Sequence, residues 1–270
     1  MSLPRPTRRE RAALAVQRGA SFALAPLWVA VVALAIRYAR FRFDGLDETR
    51  AAYARLRADG GPLLVCANHL TLVDSFLVAF ALGHPAWFLS HFASLPWNVP
   101  EATVFARTPW LRAATWSLKC VTIRRGRRDA VAATLVRVAH LLRRGEAVLV
   151  FPEGGRSRQG RVDVAARTWA AGRLLRAAPG CRVLCVYLRG EGQAAYSSVP
   201  RRGERFRVSH SCIEPRSERG GLRGCVEVSS QVLAELARLE ARAGGGWPAP
   251  EASAGDPPSR VPPRTSEVSA

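Results

Sequence analysis

Apolar runs of only five or six residues that break straight into polar turns constrain this chain more than any other feature. Leu63-Leu64-Val65-Cys66-Ala67 is one such run, and Asn68-His69-Leu70-Thr71-Leu72-Val73-Asp74-Ser75 follows it at once. A run of that length is too short for a typical helix and reads as a buried strand, whereas Ser75 to Leu82 resume with helical apolar spacing. His69 therefore falls in a strand-to-helix turn. Thr71 followed by Asp74 is a capping-box-like start signal. With Thr71 as N-cap, Asp74 takes the third helical position and its carboxylate points back toward His69. A carboxylate bound to one imidazole nitrogen fixes the tautomer and leaves the other nitrogen free to take a proton. The alternative is that Thr71 and Asp74 only cap a helix and His69 is an ordinary turn residue.

A second run repeats the pattern. Glu146-Ala147-Val148-Leu149-Val150-Phe151-Pro152-Glu153-Gly154-Gly155-Arg156-Ser157 is a short apolar strand running into a turn of Pro, Glu, two Gly and Arg. In a mainly parallel α/β sheet, ligands bind beyond the carboxyl ends of the strands, so the two turns are expected on one edge. Gly154 and Gly155 let the backbone approach a ligand and offer N–H groups, as anion-binding loops do. Arg156 can grip a phosphate with two donors.

Together these segments resemble the glycerolipid acyltransferase family, the PlsC-like enzymes that acylate glycerol-3-phosphate, lysophosphatidate and other lysolipids. The family's Asn-His-x4-Asp motif appears as Asn68-His69-Leu70-Thr71-Leu72-Val73-Asp74. Its Phe-Pro-Glu-Gly-Thr-Arg-Ser motif appears as Phe151 to Ser157, with Gly155 in place of Thr. An intervening apolar run closing on arginine matches Cys120-Val121-Thr122-Ile123-Arg124 more loosely. The resemblance spans about residues 40 to 215. Two departures bear on the acceptor. The strand Arg182 to Arg189 lacks the proline that ends the family's fourth motif, and the segment Phe88 to Phe92 has no lysine where the family often carries one.

The resemblance implies acyl transfer from an acyl-CoA or acyl-carrier-protein thioester, a co-substrate rather than a bound cofactor, and no metal. The expected acceptor is a lysophospholipid hydroxyl, with 1-acylglycerol-3-phosphate first, another lysolipid such as a lyso-ornithine lipid second, and a catalytically silent lipid-binding protein as the alternative of another class. The thioester is already activated, so the work is to deprotonate the hydroxyl, align it and stabilise the oxyanion. His69 is the expected general base and Asp74 its orienting partner. Direct transfer is preferred over a covalent route through Ser75 or a cysteine, because Ser75 neighbours Asp74 on a helix and adjacent helical residues do not share a face. The resemblance assigns Arg124, Glu153 and Arg156 to the acceptor's glycerol phosphate, beside Gly154 and Gly155. Arg124 also stands in a run with Arg125, Arg127 and Arg128, which a solvated surface would explain equally.

Residues 1–40 read as a basic N-terminus and a membrane-associated helix, with a buried helix of the soluble core as the alternative. Ala20 to Ile36 carry no charge and are flanked by arginines on both sides. Seventeen residues fall at the short limit for spanning, Pro26 sits among them, and basic flanks on both sides oppose a one-way crossing. An embedded or re-entrant helix in one leaflet is expected, on the cytoplasmic face. The absence of a small-residue cleavage pattern disfavours a signal peptide. A net charge of +19 suits an anionic lipid surface. Nucleic acid is not expected, since the 40 basic residues are scattered and no zinc-finger or RNA-binding signature accompanies them. Six cysteines in mostly apolar runs read as small buried hydrophobes in a reducing compartment. Oligomeric state is not readable.

The remaining pattern alternates. Residues 41–243 read as one acyltransferase domain, an α/β fold with a mainly parallel sheet flanked by helices. Strands are expected at Arg42–Asp44, Ala86–Ser90, Arg182–Leu188 and Arg205–Ile213. Helices are expected at Asp47–Ala58, Thr103–Leu118, Asp129–Arg144 with Asp129 as N-cap, Val162–Ala177 and Gln231–Ala243. Trp110 and Trp116, at apolar positions of their helix, are expected in the core, with an acyl groove as the alternative. Gly190 to Ala195 fit a dinucleotide fingerprint only formally, because no helix follows, and read as a loop. Residues 244–270, rich in Pro, Gly, Ser and Ala, are expected to be a disordered tail.

Overall fold

A computed structural model describes residues 3–166, 168–193 and 197–244. The chain opens with α1 (Arg8–Ala39), then β1 (Arg42–Asp44), α2 (Leu46–Ala58), β2 (Leu63–Ala67), α3 (Asp74–Leu82) and α4 (Pro85–Ser90). It continues through β3 (Trp97–Asn98), α5 (Ala102–Phe105), α6 (Pro109–Ser117), α7 (Arg128–Arg143) and β4 (Ala147–Val150). It closes with α8 (Ala170–Ala177), β5 (Arg182–Gly190), β6 (Arg205–Ile213) and α9 (Gly221–Arg242). The six strands form one sheet in the order β1-β6-β5-β2-β4-β3, parallel throughout except between β5 and β6. The mainly parallel α/β fold read from the sequence is therefore present.

Strand β2 lies at the centre with all five residues buried, between β4 and β5. A strand covered on both faces has no polar side to show, which is why it reads as a continuous apolar run rather than an alternating one. Two apolar layers cover the sheet. One gathers Leu64, Val148, Val183, Leu142 and Leu236 with α7, α8 and α9; the other gathers Leu63, Val65, Leu184, Val78 and Tyr53 with α2 and α3. The register pairs Leu63 with Ala147 and Cys66 with Val150, so β2 and β4 end side by side. That adjacency brings the two polar turns together.

Several elements differ from the sequence reading. Ala86–Ser90 is helical, within α4: the His84 side chain accepts from the Ala86 N–H and Pro85 supplies a preset φ at the first helical position. The short edge strand is Trp97–Asn98 instead. The expected helix Thr103–Leu118 is broken into α5 and α6, because Thr108 caps a new start at Pro109. Trp110 and Trp116 are 68% and 40% exposed, so they are not core residues. Asp129 sits in the first turn of α7, after an Arg127 N-cap, and pairs with Arg127 rather than capping. The helix expected from Val162 begins only at Ala170, and the last helix starts at Gly221, ten residues before the expected Gln231. Cys212 is exposed, unlike the other five cysteines, which are buried or partly so. Residues 245–270 of the expected tail, and Ala194 and Ala195 of the loop after β5, lie outside the described residues.

The N-terminal segment is one unbroken helix of 32 residues that carries through Pro26, so there is no re-entrant turn. It is apolar and long enough to cross a membrane by length and composition, with only 17% of its apolar window buried. Leu14, Gln17, Ser21 and Ala25 make the buried stripe. The Gln17 amide donates to the Trp116 and Cys120 carbonyls at 2.8 Å each, and the Trp28 indole donates to Ser117 Oγ at 3.0 Å. Val16, Leu27, Leu34 and Tyr38 stay exposed on the other face.

Helices α8 and α9 cross at Gly172, where an added Cβ would fall 2.1 Å from the Cys225 carbonyl oxygen. Overpacking at a backbone contact costs about 1–3 kcal/mol. Gly172→Ala is expected to lower stability by that amount, measured by denaturant unfolding, whereas Gly180→Asn, at an open position with φ +74° that asparagine tolerates, is expected to cost far less.

Candidate active site

His69 stands two residues beyond β2, on the turn that leads into α3. Its Nδ1 lies 2.9 Å from Asp74 Oδ2. The same carboxylate accepts from the Leu70 N–H at 2.5 Å, the Thr71 N–H at 2.7 Å and the Thr71 hydroxyl. Val73, not Thr71, is the N-cap, so α3 begins at Asp74 rather than two residues earlier. The expected backward reach of the carboxylate is nonetheless present, since it bonds the turn instead of the helix. With Nδ1 paired to Asp74, Nε2 is the nitrogen available to a ligand.

Two further contacts fix the ring and its strand. His69 stacks on Phe151, with centroids 4.1 Å apart and planes 18° from parallel. Asn68 donates through Nδ2 to the Leu188 carbonyl at 3.0 Å and accepts the Leu188 N–H at 2.8 Å, extending the β2–β5 pairing by one side chain. The asparagine of the motif thus holds the sheet edge.

Glu153 is a brace between the two turns. One carboxylate oxygen accepts the His69 N–H at 3.1 Å and the other accepts the Asp163 N–H at 3.2 Å. The Ser157 N–H donates back to the His69 carbonyl at 2.8 Å. Burial pushes the Glu153 carboxyl up to about 7, against the pull of those two N–H groups. Its oxygens therefore face the backbone rather than an open substrate position, a role the sequence pattern did not distinguish from acceptor binding. Gly154 has φ +75°, as a tight turn requires, and its N–H is engaged by the Phe151 carbonyl at 3.1 Å. It is not one of the open donors expected there. A Cβ on Gly155 would meet nothing closer than Arg125 Nη1 at 3.8 Å, so space alone does not demand glycine at that position.

In front of His69 lies a cavity of about 390 Å³, edged by Phe151, Glu101, Arg125, Arg156 and Arg158, with Gly155 in its wall. Arg124 is exposed and does not line it; the next residue does. Ile123 bridges to Glu101 and hands the chain on, so that Arg125 Nε reaches Glu101 at 3.2 Å. Arg156 donates to the Ser197 carbonyl at 3.2 Å, tying the 197–198 segment to the site. Ser75 lines the cavity too, but no hydrogen bond joins it to His69. Two apolar spaces adjoin: one of about 310 Å³ shares Val99, Arg125 and Phe151 and runs inward past Val138 and Leu174, and a smaller one shares Ser75 and opens between α1 and α3.

The arrangement is a histidine paired with a buried carboxylate, a cationic rim and apolar space behind it. The family profile described as Acyltransferase matches residues 40–189, more than half of the chain. The chain belongs to this acyltransferase family. It is the family of PlsC-like glycerolipid acyltransferases, and the match takes in both turns of the site. A search of curated proteins gave no match. Among the described residues, no cluster of His, Cys, Asp and Glu is arranged to hold a metal ion. Arg125 and Arg158 were missed by sequence reasoning: Arg125 is signalled only by the register of the strand-like run before Arg124, and Arg158 only by its place two residues after Arg156 in the same turn.

Glu153 also makes a testable titration. Its folded value of about 7 lies above the ordinary 4.5, so its contribution to stability is full below about 4.5 and is lost as pH rises through 7. The difference in thermal midpoint between pH 5 and pH 8 is therefore expected to change in Glu153→Gln, in the direction of less loss at pH 8. An identical difference in both proteins would rule out this assignment.

Proposed function

We propose that the protein is a membrane-associated O-acyltransferase that moves a fatty acyl group from an acyl-CoA or acyl-carrier-protein thioester to a lysophospholipid hydroxyl, with 1-acylglycerol-3-phosphate as the acceptor, at the cytoplasmic face of the membrane. The observation that carries this reading is the His69–Asp74 pair facing a cavity edged by three arginines. His69 Nε2 takes the proton of the acceptor hydroxyl while Asp74 holds Nδ1–H and stabilises the imidazolium that forms. The oxygen attacks the thioester carbonyl, the tetrahedral intermediate collapses with loss of the C–S bond, and the leaving thiolate takes the proton from His69. Atoms and charge balance without a covalent enzyme intermediate, which accords with Ser75 having no bond to His69.

Specificity follows from the rim and the apolar space. Arg125 and Arg156 recognise the acceptor's phosphate, since a guanidinium offers paired donors to a phosphate dianion. Arg125 takes the part expected of Arg124, and Glu153 supports the turn from behind. The adjoining apolar spaces suit an acyl chain. The exposed apolar face of α1 supports placement at a lipid surface, where both substrates are found.

Acyl transfer by purified protein in detergent micelles, with labelled acyl-CoA and acyl-carrier protein against a panel of lysolipids, tests this directly. His69→Ala is expected to lower turnover by about 10²–10⁴-fold with an unchanged thermal midpoint. Arg125→Gln is expected to raise KM for a phosphate-bearing acceptor by about 10–100-fold, the loss of one charged hydrogen bond, and to leave an acceptor without phosphate unaffected. A His69→Ala protein that keeps most of its activity would sink the mechanism.

A further inference from the structure

A cavity larger than the one beside His69 lies elsewhere among the described residues. About 930 Å³ lies between α1 and the C-terminal end of α7, at the start of β4 rather than beyond its end. The run from Glu146 to Phe151 separates the two cavities by roughly 16 Å of strand. The wall contributed by α1 is Arg11, Leu14, Ala15, Arg18, Gly19 and Phe22, a stripe at helical spacing that meets the docked one at Leu14.

Polarity changes along that stripe. At one end Arg11 faces His140 and Arg144. Burial lowers the His140 imidazole, and Arg144, Arg11, Arg143 and Arg5 lower it further, so the guanidinium groups gather close around it. Among the described residues, neither Arg11 nor Arg144 has an ion-pair partner. The only carboxylate in the wall, Glu146, is already met by Arg18 at 2.8 Å, by the buried Lys119 at 3.2 Å and by the Trp97 indole N–H at 3.1 Å. At the other end Phe22 packs edge-on to Phe92, with centroids 5.3 Å apart. This is also where α1 passes from its arginines into the uncharged stretch from Ala20 to Ile36.

We propose that this cavity is a second, non-catalytic lipid site that takes one anionic phospholipid, its phosphate between Arg11, His140 and Arg144 and its acyl chains running on toward Phe22 and Phe92. A free phosphate satisfies the cationic end alone. The joined apolar end, level with the start of the uncharged stretch of α1, is what hydrocarbon chains carried by the phosphate would cover. A zwitterionic lipid brings its own cation to the phosphate and competes with the guanidinium groups. Bound there, the lipid ties α1 to α7 across a gap that protein side chains leave open. The site goes beyond acyl transfer and does not depend on that reading.

Native mass spectrometry and a fluorescence titration in neutral detergent, with dioleoyl phosphatidylglycerol against dioleoyl phosphatidylcholine, test the site. Wild-type protein is expected to retain one phosphatidylglycerol, bound at least tenfold more tightly than phosphatidylcholine. The double variant Arg11→Gln with Arg144→Gln is expected to lose that preference, and Arg8→Gln with Arg9→Gln, which removes the same charge from α1 away from the cavity, is expected to keep it. Gly19→Phe supplies an independent arm. A Cβ there meets nothing within 4 Å, so the ring enters the cavity without clash, and replacing a helix-interior glycine does not weaken the helix. It is expected to reduce retention at least tenfold with an unchanged thermal midpoint. Equal binding of the two lipids, equal losses in the two double variants, full retention in Gly19→Phe, or inorganic phosphate binding at Arg11 without lipid retention would each overturn the proposal.

Discussion

Asp74 is buried, and its carboxylate accepts four hydrogen bonds, from His69 Nδ1, the Leu70 and Thr71 N–H groups and the Thr71 hydroxyl. A buried ionised carboxylate survives only where its lone pairs are met, and here the turn itself meets them. The dependence runs both ways. Without the carboxylate the Leu70 and Thr71 N–H groups would be orphaned at the mouth of the sheet, and without the turn the charge would be unsupported. The imidazole is one of four donors to a single group, so its orientation is set by the same bonds that shape the backbone. Loop and base cannot be displaced separately.

A second carboxylate works on the same residue from the other side. Asp74 touches the ring and Glu153 touches the backbone N–H of His69. Asp74 collects four donors, whereas Glu153 collects two, and burial raises it to about 7 despite them. Beneath both is the parallel register of β2 on β4, which ends the strands together, and the Asn68–Leu188 exchange, which prevents β5 from separating where pairing would stop. Position thus comes from the sheet, and orientation from the two acids.

The sequence declared the sheet and the turns because both write themselves in local pattern. Buried parallel strands such as Leu63–Ala67 are continuous apolar runs, and the turns after them hold the residue types that turns need. Errors fell where local capping or a tertiary partner overrides the apolar pattern. Ala86–Ser90 is apolar enough for a strand, but Pro85 and the His84 side chain commit it to helix. Trp110 and Trp116 occupy apolar spacing on a helix that turns that face outward. Arg124 and Arg125 are adjacent and chemically equal. Only the bridge from Ile123 to Glu101 decides which of them turns into the cavity. Glu153 was legible as important and not as a brace, since its partners are backbone N–H groups ten and more residues away in sequence.

How α1 is fastened bears on how the site meets its substrates. At about 1.5 Å per residue a helix of this length runs roughly 48 Å, more than the hydrocarbon core requires. One stripe of it is nevertheless bonded to the domain, through Gln17 to the loop after α6 and through Trp28 to Ser117 at the end of α6. A helix fastened over those turns cannot stand upright in a bilayer unless the domain is carried in with it. The opposite face, where Val16, Leu27 and Leu34 are exposed, is left free of the domain. On the docked side the smaller apolar space between α1 and α3 shares Ser75 with the His69 cavity. The apolar lining along α1 and the cavity rimmed by Arg125, Arg156 and Arg158 thus meet at one residue.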